Sequence, residues 1–177
     1  VDLSTRFRLS ISLLRFHGFN ALHPRQFSER RAENYRIWLD TQPVELAMRP
    51  FTGDLFIFSE VLFGEGYWIP PEWRSGINTV VDLGSHIGLT TLYLSAQFPQ
   101  ARFVCVEPSL DNFILLQRNL SSIANRAILI NAAVGCESGE AHFDAAGASW
   151  QGHIAGAGEN GTKVKCYLLN DIMEIAN

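Results

Sequence analysis

Between Ile77 and Val134, three short apolar runs alternate with two segments of helical spacing, and this alternation restricts the possible folds more than any other feature of the chain. Ile77 to Leu83 (INTVVDL) is β-branched and stops at Gly84. Leu89 to Phe98 carries apolar residues at helical intervals and is closed by Pro99. Ala101 to Val106 (ARFVCV) is a second strand-like run, ended by Glu107-Pro108. Ser109 then reads as a helix N-cap with Asp111 in the first turn, and Phe113, Leu116, Gln117 and Leu120 follow on one helical face. Ile128 to Val134 (ILINAAV) completes the series as a third strand. Strand, helix, strand, helix, strand with connections this short predicts an α/β domain, with a mostly parallel sheet and flanking helices.

The flanking segments are less regular. Residues 1–75 form a leader rich in aromatics, among them Phe16, Phe19, Phe27, Tyr35, Trp38, Phe51, Tyr67, Trp68 and Trp73. Within it Glu29 to Leu39 reads as a helix stopped by Pro43, Val44 to Met48 as a short strand, and Leu55 to Leu62 as a further apolar element. Pro70-Pro71 and Gly76 mark a boundary, so the chain divides into a leader over 1–75 and an α/β domain over 76–177. After Gly135 a stretch rich in Gly, Ala and Ser, from Cys136 to Gly161, reads as a hairpin or loop insertion. Lys163 to Leu169 follows as a strand, and Asn170 as the cap of a last helix.

Bulk properties exclude several classes. With 47% apolar and 18% charged residues over 177 positions, the chain can build one proper core and is not a disordered segment. A net charge of −4 gives no overall attraction to nucleic acid. Residues 1–36 hold seven arginines against three acids, a local +4 that leaves −8 for the remainder, and a solvated helix face is the ordinary meaning of such a segment. Cys105, Cys136 and Cys166 lie far apart, with neither disulfide nor metal spacing, so no metal site is expected and a reducing, cytoplasmic setting is. No run is apolar enough to span a bilayer.

The chemistry concentrates where the first strand enters its helix, through Gly84-Ser85-His86-Ile87-Gly88. Open α/β sheets bind ligands in the crevice beyond the carboxyl ends of their strands, and glycines there let the backbone turn sharply and approach a ligand. Asp82 heads the loop, and Glu107 ends the next strand 25 positions later, where its carboxylate can accept from both hydroxyls of a ribose. A dinucleotide site needs a middle glycine and a helix N-terminus open to pyrophosphate. This loop lacks that glycine, and an acid at its head would repel phosphate. S-adenosylmethionine has a ribose, an adenine and an ammonium group but no phosphate, and it suits the loop better than a nicotinamide cofactor. The bland alternative is that Asp82 and Glu107 only cap helices or brace their own loops. Asn131, near the end of the third strand, either borders an adenine or bonds its own turn. His86 reads as exposed, reaching a ligand only through its backbone.

The run VVDLGSHIGLTTLYLSAQFPQARFVCVEPSLDNFILLQRNL, followed by INAAVG, resembles the FkbM family of methyltransferases. That family typically shows V-D-x-G-A-N-x-G, then E-P, N-F-x-x-L-x-x-N and N-A-A-V-G. The upstream ELAMRPFTGDLFIFSEVLFGEGYWIP is similar to the arginine–proline, aspartate and aromatic pattern that precedes the loop there. Ser85-His86 stands where the family usually has Ala-Asn. The resemblance implies a Rossmann-like class I methyltransferase fold and S-adenosylmethionine as cofactor. Its binding residues would be Asp82, Gly84, Ser85, His86, Ile87, Gly88, Glu107, Pro108, Asn131 and Ala132. It further implies O-methylation of a small-molecule or sugar hydroxyl.

In the family an acidic strand-end motif on the substrate side follows the segment resembling Leu168 to Ile172, and this chain ends at Asn177 before it. On that reading the domain is C-terminally incomplete, its acceptor side is largely absent, no catalytic base is assigned, and an exposed sheet edge favours a homo-oligomer. His142, Trp150 and His153 read as surface or packing residues. The rival reading is a non-catalytic nucleoside-binding or interaction module that keeps the fold.

Overall fold

The computed structural model describes residues 31–39, 42–49, 52–63, 66–144, 152–154 and 161–177. The expectations for the arginine-rich segment before Arg31, for Phe51 and for Trp150 lie outside the described residues.

The helix expected from Glu29 to Leu39 is, over its described part, a strand. β1 (Glu33–Leu39) pairs antiparallel with β2 (Gln42–Met48), Tyr35 opposite Leu46 and Trp38 opposite Pro43. Its burial alternates with period two: Tyr35, Ile37 and Leu39 point inward while Arg36 and Trp38 face outward. Pro43 therefore sits in a hairpin strand and stops no helix. α1 (Asp54–Phe63) is the apolar element that follows, burying Leu55, Phe58 and Val61.

The central alternation is as the sequence predicts. β3 (Thr79–Leu83), α2 (Leu89–Gln97), β4 (Arg102–Val106), α3 (Leu110–Asn119) and β5 (Ala127–Ile130) follow one another, a 3-10 turn over Leu120–Arg126 leading into β5. The three strands form a parallel sheet in the order β3-β4-β5, with Asp82 beside Cys105 and Cys105 beside Leu129. Ser109 caps α3, its hydroxyl accepting from the Asn112 N–H.

Two corrections concern the third strand and the sheet. Ile128 to Val134 is not continuous: β5 ends at Ile130, and β6 (Ala133–Val134) belongs to another sheet. A tight turn separates them, in which Ala132 N–H donates to the Ile130 carbonyl at 3.1 Å. β6, β7 (Gly139–Asp144), β8 (His153–Ile154) and β9 (Thr162–Tyr167) make a mixed sheet in the order β6-β9-β7-β8. Among the described residues a wholly parallel sheet is thus found only in β3-β4-β5, although β6 also pairs parallel with β9. The described residues of the insertion expected after Gly135 include β7 and β8, which pair antiparallel, and β7 also runs antiparallel to β9.

α4 (Leu169–Ala176) is anchored by a residue other than the one expected. Its flanking residue is Leu168, whose N–H donates to Asp171 Oδ2 at 3.0 Å; Ser138 Oγ donates to the same oxygen at 2.8 Å. Asn170 lies inside the first turn.

β4 is buried on both faces. Phe103 and Cys105 join a large cluster with Tyr35, Leu46, Phe58, Ile87 and Leu116, while Val104 and Val106 join a smaller one with Ala132, Ile172 and Ala176. Side-chain alternation along one strand thus ties the hairpin, α1, α2 and α3 on one side to α4 on the other. Burial pushes the Cys105 thiol up to about 12, so it is a packed neutral group. No helix among the described residues is long and apolar enough to cross a membrane.

Candidate functional site

The parallel strands end on a common side, and the loop between β3 and α2 folds back over that end. Gly84 and Ser85 N–H groups both donate to the Val106 carbonyl, at 2.9 and 3.0 Å, and Gly88 N–H donates to the Ser85 carbonyl at 2.7 Å. The Ser85 hydroxyl donates to the Asp82 carbonyl at 2.8 Å. Such a turn needs left-handed backbone at Gly84 (φ 80°), His86 (φ 52°) and Gly88 (φ 86°). Histidine is one of the side chains that visits this region more readily than most.

The two glycines differ in what a side chain would meet. A Cβ at Gly84 would project into open space, so the loop presents bare backbone there. A Cβ at Gly88 would lie 2.8 Å from Leu116 Cδ1 and 3.2 Å from Leu120 Cδ2. Gly88 is therefore required for close packing of the loop against α3.

Glu107, just past β4, is buried and held from three sides. Its Oε2 accepts from the His86 N–H at 2.9 Å; its Oε1 accepts from the Ser109 N–H at 2.9 Å and from Asn112 Nδ2 at 3.2 Å. Burial pushes its carboxyl above the usual range, against the opposing pull of these hydrogen bonds. A carboxylate offers about four acceptor positions, so three donors leave it able to accept one more. A cleft of about 250 Å³ opens beside it, lined by Gly84, Ser85, His86, Glu107 and Pro108, with Tyr67 and Phe143 among the walls. Pro108 and Phe143 also line a larger neighbouring space of about 880 Å³, bordered by Asn131, Asp111 and Tyr167.

Half of the expected binding residues therefore meet at the first cleft. Asp82 does not line it: its carboxylate is turned toward α2 and accepts from Thr91 Oγ1 at 2.5 Å, and burial raises its pKa. Ile87 is in the large core cluster and Ala132 in the small one. Asn131 is exposed on the second cavity, and its Nδ2 donates to the carbonyls of Glu107 and Pro108 at 2.8 and 3.2 Å. His86 is not exposed; its side chain points into the fold, with Nε2 3.2 Å from Asp54 Oδ1. His142 and His153 are exposed.

Sequence reasoning assigned no role to Asp54, Arg49, Asn112 or Phe143. Asp54 is fully buried and braces His86, Asn112 braces Glu107, and Phe143 reaches the cleft from β7. The arginine–proline and aspartate pattern was the one available signal for the first two. Nothing in the local sequence marks Phe143.

Among the described residues no group of three His, Cys, Asp or Glu side chains is placed to hold a metal ion. No family model matches the chain. Over 65 residues it is 32% identical to a protein named Methyltransferase 1 from Beauveria bassiana (strain ARSEF 2860). That match covers 37% of this chain and 25% of the relative, so the chain is similar to about a quarter of that protein's length.

Proposed function

We propose that the chain is the cofactor-binding part of an S-adenosylmethionine-dependent methyltransferase of Rossmann-like, class I type. In this reading it works within the FkbM pattern on a hydroxyl of a small molecule. The observation that carries this is the fixed Glu107 carboxylate beside a glycine loop four of whose amides already donate within the protein. Gly84, Ser85, His86 and Gly88 N–H groups all donate within the protein, so these four amides are not available to a pyrophosphate. Glu107 keeps acceptor capacity toward the cleft, where a ribose hydroxyl can donate to it. The similarity to a named methyltransferase supports the same reading over a nicotinamide-dependent oxidoreductase.

The residues fit the cofactor. Gly84 offers bare backbone to the cleft, Glu107 takes the ribose, and the cavity beyond Pro108, beside Asn131, receives the adenine. When bound, S-adenosylmethionine supplies an electrophilic methyl group on a sulfonium. The chain's own contribution is to orient that group and shield it, since displacement at a methyl carbon depends chiefly on alignment. Asp82 orders the first turn of α2 through Thr91 and acts on the cofactor only across the loop. His86, standing where the family pattern has asparagine, keeps the left-handed turn because both residue types tolerate it.

Isothermal titration of S-adenosylmethionine and S-adenosylhomocysteine tests this reading. Saturable binding is expected, weakened about tenfold or more by Glu107→Ala, on the scale of one hydrogen bond to a charged group. A folded chain that binds neither compound would overturn it. Binding with no methyl transfer to any hydroxyl acceptor, in the longest form of the protein, would favour the binding-module reading.

A further inference from the structure

Behind the glycine loop, five residues from five parts of the chain close into one buried polar circuit. Arg49, just past β2, forms a two-pronged pair with Asp54 at the start of α1. Its Nε donates to Oδ2 and its Nη2 to Oδ1, each at 2.8 Å, and its backbone N–H adds a third bond to Oδ2 at 2.9 Å. Arg49 Nη2 also donates to Asn112 Oδ1 on α3 at 2.6 Å. Asn112 Nδ2 passes the chain of bonds to Glu107 Oε1, and Glu107 Oε2 accepts from the His86 N–H. His86 Nε2, 3.2 Å from Asp54 Oδ1, returns it to the start. All five residues are less than a tenth exposed.

Stability alone is a poor reason for such an arrangement. A buried ion pair can often be replaced by apolar groups without loss, because desolvation offsets the attraction. Orientation is the better account. A guanidinium bonded directly to Glu107 would occupy the carboxylate. Asn112, interposed, holds Oε1 with a single amide proton and leaves acceptor capacity toward the cleft. The same circuit clamps His86 at both its backbone and its ring, which keeps a non-glycine residue at φ 52°.

We propose that Arg49, Asp54 and Asn112 are positioning residues for Glu107, so that the amino-terminal hairpin and α1 set the affinity of the cleft for a ribose-bearing ligand. The proposal rests on the reading of this cleft as the S-adenosylmethionine site. It goes beyond that reading by placing part of the binding determinant in residues that do not line the cleft.

Asn112→Asp is the decisive variant. An aspartate still accepts from Arg49, but it turns a carboxylate oxygen toward Glu107 Oε1 where an N–H stood. Two carboxyl groups so close must share a proton, and the pair titrates together above the usual range. The charged and titratable groups facing Glu107 are His86 from the loop and, across Asn112, Arg49 and Asp54; Asp111 on α3 is exposed. The experiment titrates S-adenosylhomocysteine into the wild-type and variant chains from mildly acidic to mildly alkaline pH. Alongside, the Glu107 carboxyl carbon is followed by NMR without ligand. In Asn112→Asp the carboxyl titration moves upward, so the loss of affinity on acidification begins at a higher pH than in the wild type, up to about tenfold for each pH unit below the raised value. The wild-type profile stays flatter over the same range. Arg49→Lys gives a second reading, because one ammonium cannot replace the fork shared by Asp54 and Asn112. It is expected to weaken S-adenosylhomocysteine binding with near-ultraviolet circular dichroism unchanged. Folded variants with wild-type carboxyl titration, affinity and pH profile would overturn the proposal. A wild-type chain that binds no S-adenosylhomocysteine would instead remove the cofactor reading, while the carboxyl titration still reports on the circuit.

Discussion

Asn119 pairs with the backbone of Ala47 as a neighbouring strand would. Its Oδ1 accepts from the Ala47 N–H at 2.7 Å, and its Nδ2 donates to the Ala47 carbonyl at 2.9 Å and to the Ile87 carbonyl at 2.8 Å. One buried amide at the end of α3 thus fastens the hairpin and the glycine loop together.

Asn119→Ala leaves buried backbone groups of Ala47 and Ile87 without these bonds. At about 1–3 kcal/mol for each buried group left unsatisfied, the expected loss of stability is about 3 kcal/mol. Urea unfolding followed by fluorescence measures it, and an unchanged midpoint would refute the fastening role.

Alanine at the two loop glycines separates packing from binding. Gly88→Ala combines unfavourable backbone with a clash against Leu116 and should cost about 2–4 kcal/mol of stability. Gly84→Ala meets no neighbour and should cost about 1–2 kcal/mol from its backbone alone. Its new methyl group enters the cleft, so S-adenosylhomocysteine affinity should fall well beyond the stability effect. Equal losses of stability in the two variants would contradict this division.

Cofactor binding should weaken as the solution is acidified. Burial raises the Glu107 carboxyl above its ordinary value of 4.5, so protonation begins at a higher pH than for an exposed glutamate. A protonated Glu107 loses the charge that strengthens its bond to a ribose hydroxyl. The affinity of Glu107→Gln should be weaker at neutral pH and nearly flat with pH. A wild-type affinity that stays constant down to the ordinary glutamate range would count against Glu107 as the ribose acceptor.

Asp54 shapes acid stability in the opposite sense. Burial pushes its carboxyl up, but hydrogen bonds from His86 and Arg49 and their charges outweigh burial and hold it well below the usual range. A folded value below the unfolded one contributes stability above the ordinary value of 3.8, and that contribution is lost as pH falls below it. Asp82 and Glu107, with raised folded values, contribute below their unfolded values and lose that contribution as pH rises through the folded ones. Asp54→Asn leaves Arg49 buried beside a neutral partner and should cost about 3–5 kcal/mol at neutral pH. That deficit should narrow on acidification below about pH 3.8, the unperturbed aspartate range, as measured by the thermal midpoint against pH. A deficit independent of pH would show that Asp54 is not ionised in the fold.

Much of the fold was legible because its signals are local. The runs around Val80, Val104 and Leu129 are strands flanked by helices of matching period, and Ser109 caps where a cap is expected. Period and capping act over a few neighbours, so single-sequence reasoning reaches them. The strand in ENYRIWL is not marked by its own pattern, since its alternation depends on a hairpin partner to bury Tyr35 and Ile37. The break at Asn131-Ala132 was equally hidden, because β9 decides where β6 pairs.

By itself, the sequence determined the strand–loop–helix that carries the glycines and the strand end that carries Glu107, because both follow from local pattern and chain order. Tertiary structure alone decided which of those groups face a cleft. It turned Asp82 toward Thr91 and Gly88 toward Leu116, and it brought Arg49 and Asp54 behind Asn112, 58 to 63 positions further along. The direction of a side chain and the closure of a buried circuit depend on packing between segments distant in the chain, which no spacing along it encodes.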